Sequence, residues 1–302
     1  MTLLKSLSLT LLAGTCSTIS YADPLSLYGK ANISAQAADE GEGKYTELKS
    51  NSSRFGVKGD AKLDNGLEVL YLFEWQVDLA DASGSDNITA RNQYVGLKGN
   101  FGTVLLGRND TMLKQSQGKI DLFSDYEGDI KGLWKGENRM SNSVSYYSPT
   151  FAGFAIGASY IAEDEVDGVD GQSVSLHYGD KNLKKEQWFA SVAADFDIKG
   201  YDNIRASVQT KMDFLTLGAI LQHQEAVDTG IEKDGVMVSG AYTLDKLILK
   251  AQFQTLEDDS SVTVGGDYKL GKATKAFIWY TDRTLDDGED QSWLALGLEH
   301  KF

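Results

Sequence analysis

Cysteine is all but missing from this chain. Its single thiol, Cys16, lies inside an apolar run near the N-terminus, so no disulfide framework holds the rest together. Proline occurs twice and histidine three times. His177, His223 and His300 are scattered, a pattern that suits neither a zinc site nor a Ser-His-Asp triad. No serine sits in a Gly-x-Ser-x-Gly elbow. Catalysis, a metal and a cofactor are therefore not expected. Basic residues are in deficit too, 29 Lys and Arg against 44 Asp and Glu, which makes nucleic acid an unsuitable partner. No long apolar run follows residue 22, and this excludes a chain that crosses a membrane as helices. The acidic stretches 164–170 and 286–290 lack the order of a calcium-binding EF-hand loop and read as solvated external loops.

What the N-terminus does have is Lys5, the apolar run 7–13 and a small-x-small end at Ser20-Tyr21-Ala22. That is a secretory signal peptide, residues 1–22, too short to span a bilayer. Thr15 fits poorly before Cys16 as a lipoprotein signal. Only Lys5 is lost with the signal, so the remaining 280 residues carry 28 bases, 44 acids and a net charge of −16. They form one domain, 23–302, without an internal repeat or linker.

The remaining chain alternates. At the C-terminus Leu294, Leu296, Leu298 and Phe302 share one side, and Trp293, Ala295, Gly297, Glu299 and Lys301 share the other. Val69, Tyr71, Phe73, Trp75 and Val77 oppose Glu68, Glu74, Gln76 and Asp78. Similar strands recur to the end, and no 3.6-residue period competes. Tyr242, Tyr268, Trp188 and Phe302 fall near strand ends, where an interfacial girdle belongs. Seven tight turns, such as 64–66, 180–184 and 245–246, alternate with eight longer acidic connections, among them 38–44, 197–202, 226–234 and 257–259. A soluble sandwich has no reason to sort its loops by parity. The pattern predicts an all-β, sixteen-stranded transmembrane antiparallel barrel of the outer-membrane type.

One connection differs from the others. Residues 109–138 are too long for an ordinary loop and too apolar for disorder, with Leu113, Ile120, Leu122, Phe123, Tyr126, Leu133 and Trp134. They also carry Asp121, Asp125, Glu127 and Asp129. Such a loop fits inside an aqueous lumen, packed on the wall and presenting acids to the passage; a surface lid is the alternative. On the wall, Lys30 and Arg54 take the lumenal side of their strands, and Arg139 begins the strand after the loop. Arg91 and Arg108 share the parity of outward apolar residues, so each needs a bulge or a strand end to reach the lumen. Bases facing acids across a narrow passage make a transverse field.

Leu27-Tyr28-Gly29-Lys30, Ser53-Arg54-Phe55-Gly56-Val57-Lys58-Gly59, Arg91-Asn92-Gln93-Tyr94-Val95-Gly96-Leu97, Phe101-Gly102-Thr103-Val104 through Gly107-Arg108, Phe123-Ser124-Asp125-Tyr126, Glu137-Asn138-Arg139 and the final His300-Lys301-Phe302 stand in this order. In order and spacing they resemble the trimeric general diffusion porins of Gram-negative outer membranes. The resemblance implies a homotrimer of sixteen-stranded barrels with the third external loop folded inward. It implies a passive, water-filled outer-membrane channel for ions and small hydrophilic solutes. It places a basic cluster at Lys30, Arg54, Arg91, Arg139 and nearby Arg108, facing acids at Asp121, Asp125, Glu127 and Asp129. It makes Phe302 a signal for the barrel-assembly machinery, and lipids including lipopolysaccharide the surroundings. The enteric Pro-Glu-Phe-Gly-Gly-Asp segment is replaced by Ser124-Asp125-Tyr126-Glu127-Gly128-Asp129, which leaves open which acids touch the lumen. A substrate-specific porin and a non-conducting barrel that displays surface loops are the alternatives.

Overall fold

The computed structural model describes residues 25–81, 87–165, 168–286 and 288–302. The expected signal peptide, its cleavage point after Ala22 and Cys16 lie outside the described residues.

Antiparallel neighbours run without interruption around a single sheet. The first strand, Ser26–Asp39, pairs with the last, Gln291–Lys301, from Lys30 against Lys301 to Asp39 against Ser292. The sheet is thereby closed, and no strand edge is left to face lipid. Among the described residues, seventeen strand segments fill sixteen positions. Lys44–Ser50 and Arg54–Lys62 are halves of one strand, and both pair with Ser26–Asp39. They are separated at residues 51–53, where Ser52 adopts a left-handed φ of 52°. The Asn51 side chain spans the break and donates to Ser34 Oγ at 2.9 Å.

Alternation becomes an inside-out protein. Leu176, Val192, Ile204, Leu221, Val238, Val264, Ile278 and Leu296 are exposed on the outer surface, as lipid requires. Phe154, Tyr178, Trp188, Tyr242 and Tyr268 are exposed near the turns at the chain-end rim, where the predicted girdle stands. Phe302, 62% exposed, closes that rim. Its backbone exchanges two hydrogen bonds with Gly29, and its ring lies over that glycine. The buried apolar clusters lie inside the barrel, between wall and inserted loop.

Loop lengths sort less cleanly than their acidity predicts. Residues 199–200, 227–230 and 257–258 are tight reversals between long strands. Above the lipid boundary both faces of a strand can be polar, so acidic composition there does not mark a loop. The turn expected at 180–184 instead extends over 180–187, pinned by the Asp180 carboxylate, which accepts from the backbone N–H groups of Asn182, Lys184 and Lys185.

Candidate functional site

The long connection follows the strand Gly102–Asp110 and enters the lumen. It begins with a short helix, Met112–Ser116, capped by Thr111, whose hydroxyl accepts from Lys114 N. It then crosses the inner wall from the strand Phe154–Ile161 to the strand Thr274–Thr284. The lid alternative is thus corrected: seven loop side chains, from Met112 to Trp134, belong to the buried interior.

Two features of that wall hold the loop. The first is room. Ile120 and Trp134 pack against Gly218 and Gly235, and a Cβ at either glycine would stand 2.7 Å from the incoming side chain. Ile220, Met237 and Leu256 complete the seat. Phe123 and Tyr126 occupy a second seat against Phe277, Trp279 and Trp293. The second feature is a set of hydrogen-bonding side chains, all neutral but Arg283, that satisfy the loop backbone, which carries little regular structure of its own. Ser173 Oγ accepts from Met112 N, Gln209 from Lys119 N and Gln224 from Lys135 N. Gln252 accepts from Leu122 N and donates to Gly128 O at 2.8 Å each. Ser239 donates to Ile120 O, and Arg283 donates to Glu127 O. The return limb is locked by the buried pair Arg205–Glu137 at 2.7 Å.

The tip reaches the opposite wall. Asp125 lies 2.5 Å from Lys30 Nζ and 3.8 Å from Arg54. Burial pushes its carboxyl up, but Lys30 and then Arg54 outweigh burial and hold it below the usual carboxylate range. Glu127 pairs with Lys49. Beyond the tip, Arg91 contacts Glu74 at 2.7 Å and Gln76 at 2.9 Å, and Arg139 contacts Asp110 at 3.0 Å and Asn92 at 2.7 Å. Lys30, Arg54, Glu74, Arg91, Asp110 and Arg139 line one open groove. The bulge needed to bring Arg91 inward is present, between Phe73 and Trp75 of the facing strand.

Three expected members stand elsewhere. Arg108 is in register with Gln93 and, through it, outward-facing Phe73; its guanidinium donates to Ser141 Oγ. The neighbouring shift between Gly107 and Asn109 turns Asn109 and Asp110 but leaves Arg108 on the outer parity. Asp121 points into the loop itself and accepts from Phe123 N, Ile130 N and Gln252. Asp129 caps the short 3-10 helix Ile130–Gly132 by accepting from Lys131 N. Burial raises both carboxyl groups above their usual range. In their place the wall supplies Lys49, Glu74, Asp110 and Glu299, the last 3.8 Å from Lys30. Glu74 and Glu299 could have been found from lumenal parity. Lys49 could not, because the strand break at residues 51–53 resets the phase. Under the tip, Lys250 and Lys275 flank Asp267 at 3.1 and 2.9 Å, and Lys250 lies 4.6 Å over the Phe123 ring.

The profile of the Gram-negative porin family matches residues 8–302. The chain belongs to that family. Among its relatives is the major outer membrane protein P.IB of Neisseria lactamica, 27% identical, with 92% of this chain and 94% of the relative aligned. The protein of the same name from Neisseria gonorrhoeae is 26% identical over the same shares. The fold is that of the anion-selective porin from Comamonas acidovorans, at a TM-score of 0.76 and 21% identity over 92% of this chain and 99% of that one. It is equally that of Salmonella typhi OmpF solved with daunomycin, at 0.74 and 15% identity over 93% and 98%. This porin is an outer-membrane barrel and a passive, water-filled channel for ions and small hydrophilic solutes.

Proposed function

We propose that this porin filters at an eyelet formed by Asp125 and Glu127 on the loop tip and by Lys30, Lys49, Arg54, Arg91 and Arg139 on the wall. The observation that carries the reading is the contact of Asp125 with both Lys30 and Arg54 across the lumen. Arg108, Asp121 and Asp129 act on structure and not on the passing ion. Glu74 and Asp110 offset two of the wall arginines. Bases and acids are then close to balance in the eyelet, and the net negative charge of the mature chain tips the preference to cations. The Debye length is about 8 Å at physiological salt, so facing eyelet charges act on an ion at full strength while remote charge is screened. Solutes are sieved and biased without chemistry. Reversal potentials in a salt gradient test this: Asp125→Asn with Glu127→Gln should move the potential toward anions. An unchanged potential would remove both acids from the passage.

The chain is exported with loss of residues 1–22 and works as a homotrimer. The outer face around Phe55, Phe73 and Trp75, whose rings stack at 5.5 and 6.5 Å, is the subunit contact. Outward-facing Phe302 is the residue presented to the barrel-assembly machinery, and lipids including lipopolysaccharide cover the remaining outer band. Migration of unheated detergent extracts tests the assembly: an oligomer that turns to monomer on boiling is expected, and monomer before heating would overturn it. Display of surface loops is disfavoured by the two-residue connections 199–200 and 257–258.

A further inference from the structure

The bases of the eyelet pair with acids; two lysines next to it do not. Among the described residues, neither Lys119 nor Lys181 forms an ion pair, and neither ammonium makes a hydrogen bond. Yet the fold brings them together. Lys119 lies on the loop and Lys181 on the turn 180–187, and one buried wall side chain holds both main chains. Gln209 accepts from Lys119 N at 3.1 Å and donates to Lys181 O at 2.7 Å. Burial, and then the positive charges of Lys181, Lys301 and Arg54, push the Lys119 ammonium below the ordinary lysine value. Asp125 opposes them as the last of the charges acting on Lys119, without forming an ion pair with it. Like charges held close together raise the energy of the folded state, and an anion between them relieves it.

Beside this pair is a hollow of about 300 Å3 in the lumen wall. Its floor is apolar and aromatic, with Met112, Ala155, Tyr147 and Phe189. The Phe189 ring lies 6.0 Å from that of His177. Phe189 also reaches Gly118, next to Lys119. Lys181 stands on the rim with Asn182. Asp180 lines the same cavity, its carboxylate accepting from the three backbone N–H groups of its own turn and forming no ion pair with Lys181 among the described residues. An apolar floor with one cationic edge is the arrangement that holds a small amphiphilic anion, and the volume is at the lower end for a ligand site.

We propose that Lys119, Lys181 and the Phe189–His177 cavity form a subsite for a small organic carboxylate with a compact apolar body, placed just past the eyelet on the periplasmic side. A carboxylate there accepts from the two ammonium groups while its body lies on the floor. The subsite retains such solutes briefly within the channel and differs from the eyelet in position, sign and shape.

Benzoate is the probe. Single channels of the full-length porin in chloride electrolyte should be blocked by benzoate more strongly than by acetate, which lacks the body, or by benzyl alcohol, which lacks the charge. The double variant Lys119→Gln with Lys181→Gln should weaken the benzoate block by roughly tenfold or more, since both charge-assisted contacts are lost. Gln209→Leu, which releases both main chains, should weaken it as well while both charges remain. Glu127→Gln, whose carboxylate pairs with Lys49, should shift ion preference and leave the benzoate constant alone, so a failed eyelet and a failed subsite give different results. Equal block by the three probes, or an unchanged benzoate constant in the folded double variant, overturns the proposal. Circular dichroism and heat-stable migration verify that the variants are folded.

Discussion

The two sides of the lumen treat the same loop differently. The wall from Phe154 to Thr284 meets it mainly with serine, threonine, glutamine and glycine, with Arg205 and Arg283 as charged exceptions, and the loop there is buried. The wall from Ser26 to Asp110 meets only its tip, through ion pairs bordering an open groove. Neutral side chains with fixed donor and acceptor directions satisfy a buried backbone without the desolvation cost of a charge. Charges keep their hydration only where water remains, and there they act on what passes. Apart from Arg205 and Arg283, anchoring and filtering are thus separated by chemistry, and they should also separate on mutation.

The largest effect should come from removing the shared element. Deleting 120–134 takes away the seats and the tip together and should raise conductance roughly twofold, since the narrowest section dominates the resistance. An unchanged conductance would mean that the loop does not set the width.

Breaking only the anchoring side comes next. Trp134→Ala empties the seat over Gly235 and removes the bond its Nε1 donates to Thr255 O. Loss of a buried aromatic costs about 3–5 kcal/mol, here directed at the loop and not the barrel. Gln252→Leu leaves Leu122 N and Gly128 O without their partner, at about 1–3 kcal/mol. Both variants should show faster proteolysis within 111–138 and noisier open-channel current, with the heat-stable barrel retained. Loop cleavage at the parent rate would show that the wall contacts do not hold it.

The same contrast explains what was legible in the sequence. Barrel strands, closure, the inserted loop and its apolar side could be read because a lipid-facing strand must alternate and because 109–138 is too oily for a free loop. Lys30, Arg54, Arg91 and Arg139 line one groove, and Asp125 reaches Lys30 and Arg54. The division of labour among the acids did not show. Asp121, Asp125, Glu127 and Asp129 all fall on odd positions within nine residues, and only the fold of the tip turns two toward the wall and two back onto the loop's own N–H groups. The glycine seats were hidden for a related reason: Gly218 and Gly235 read as ordinary strand glycines until a knob from more than ninety residues away fills them. Arg108 was misplaced because a bulge moves some neighbours and spares others.

A finer cut separates the acids by function. Asp125→Asn should move the reversal potential toward anions, while Asp121→Asn, similar in chemistry and four residues away, should loosen the loop and leave the potential nearly unmoved. Equal shifts from the two would mean that position at the tip does not decide which acid an ion meets.

The smallest effect is in pH, and the two kinds of loop acid have opposite signs there. Asp121 and Asp129 are raised by burial, so the fold binds their protons more readily than the unfolded chain does. Falling pH therefore does not unseat the loop through them: what they contribute to stability is present in full in acid and lost as pH rises through their raised values. Asp125 is depressed below the ordinary value of 3.8 by Lys30 and Arg54, against the opposing pull of burial. Its link to the wall is present above that ordinary value and lost only as pH falls through the depressed one. The difference in reversal potential between the parent and Asp125→Asn should hence stay constant from neutral pH down to about 4 and collapse only below it. A difference already lost at pH 5 would mean that Asp125 does not sit between the two bases when the channel conducts.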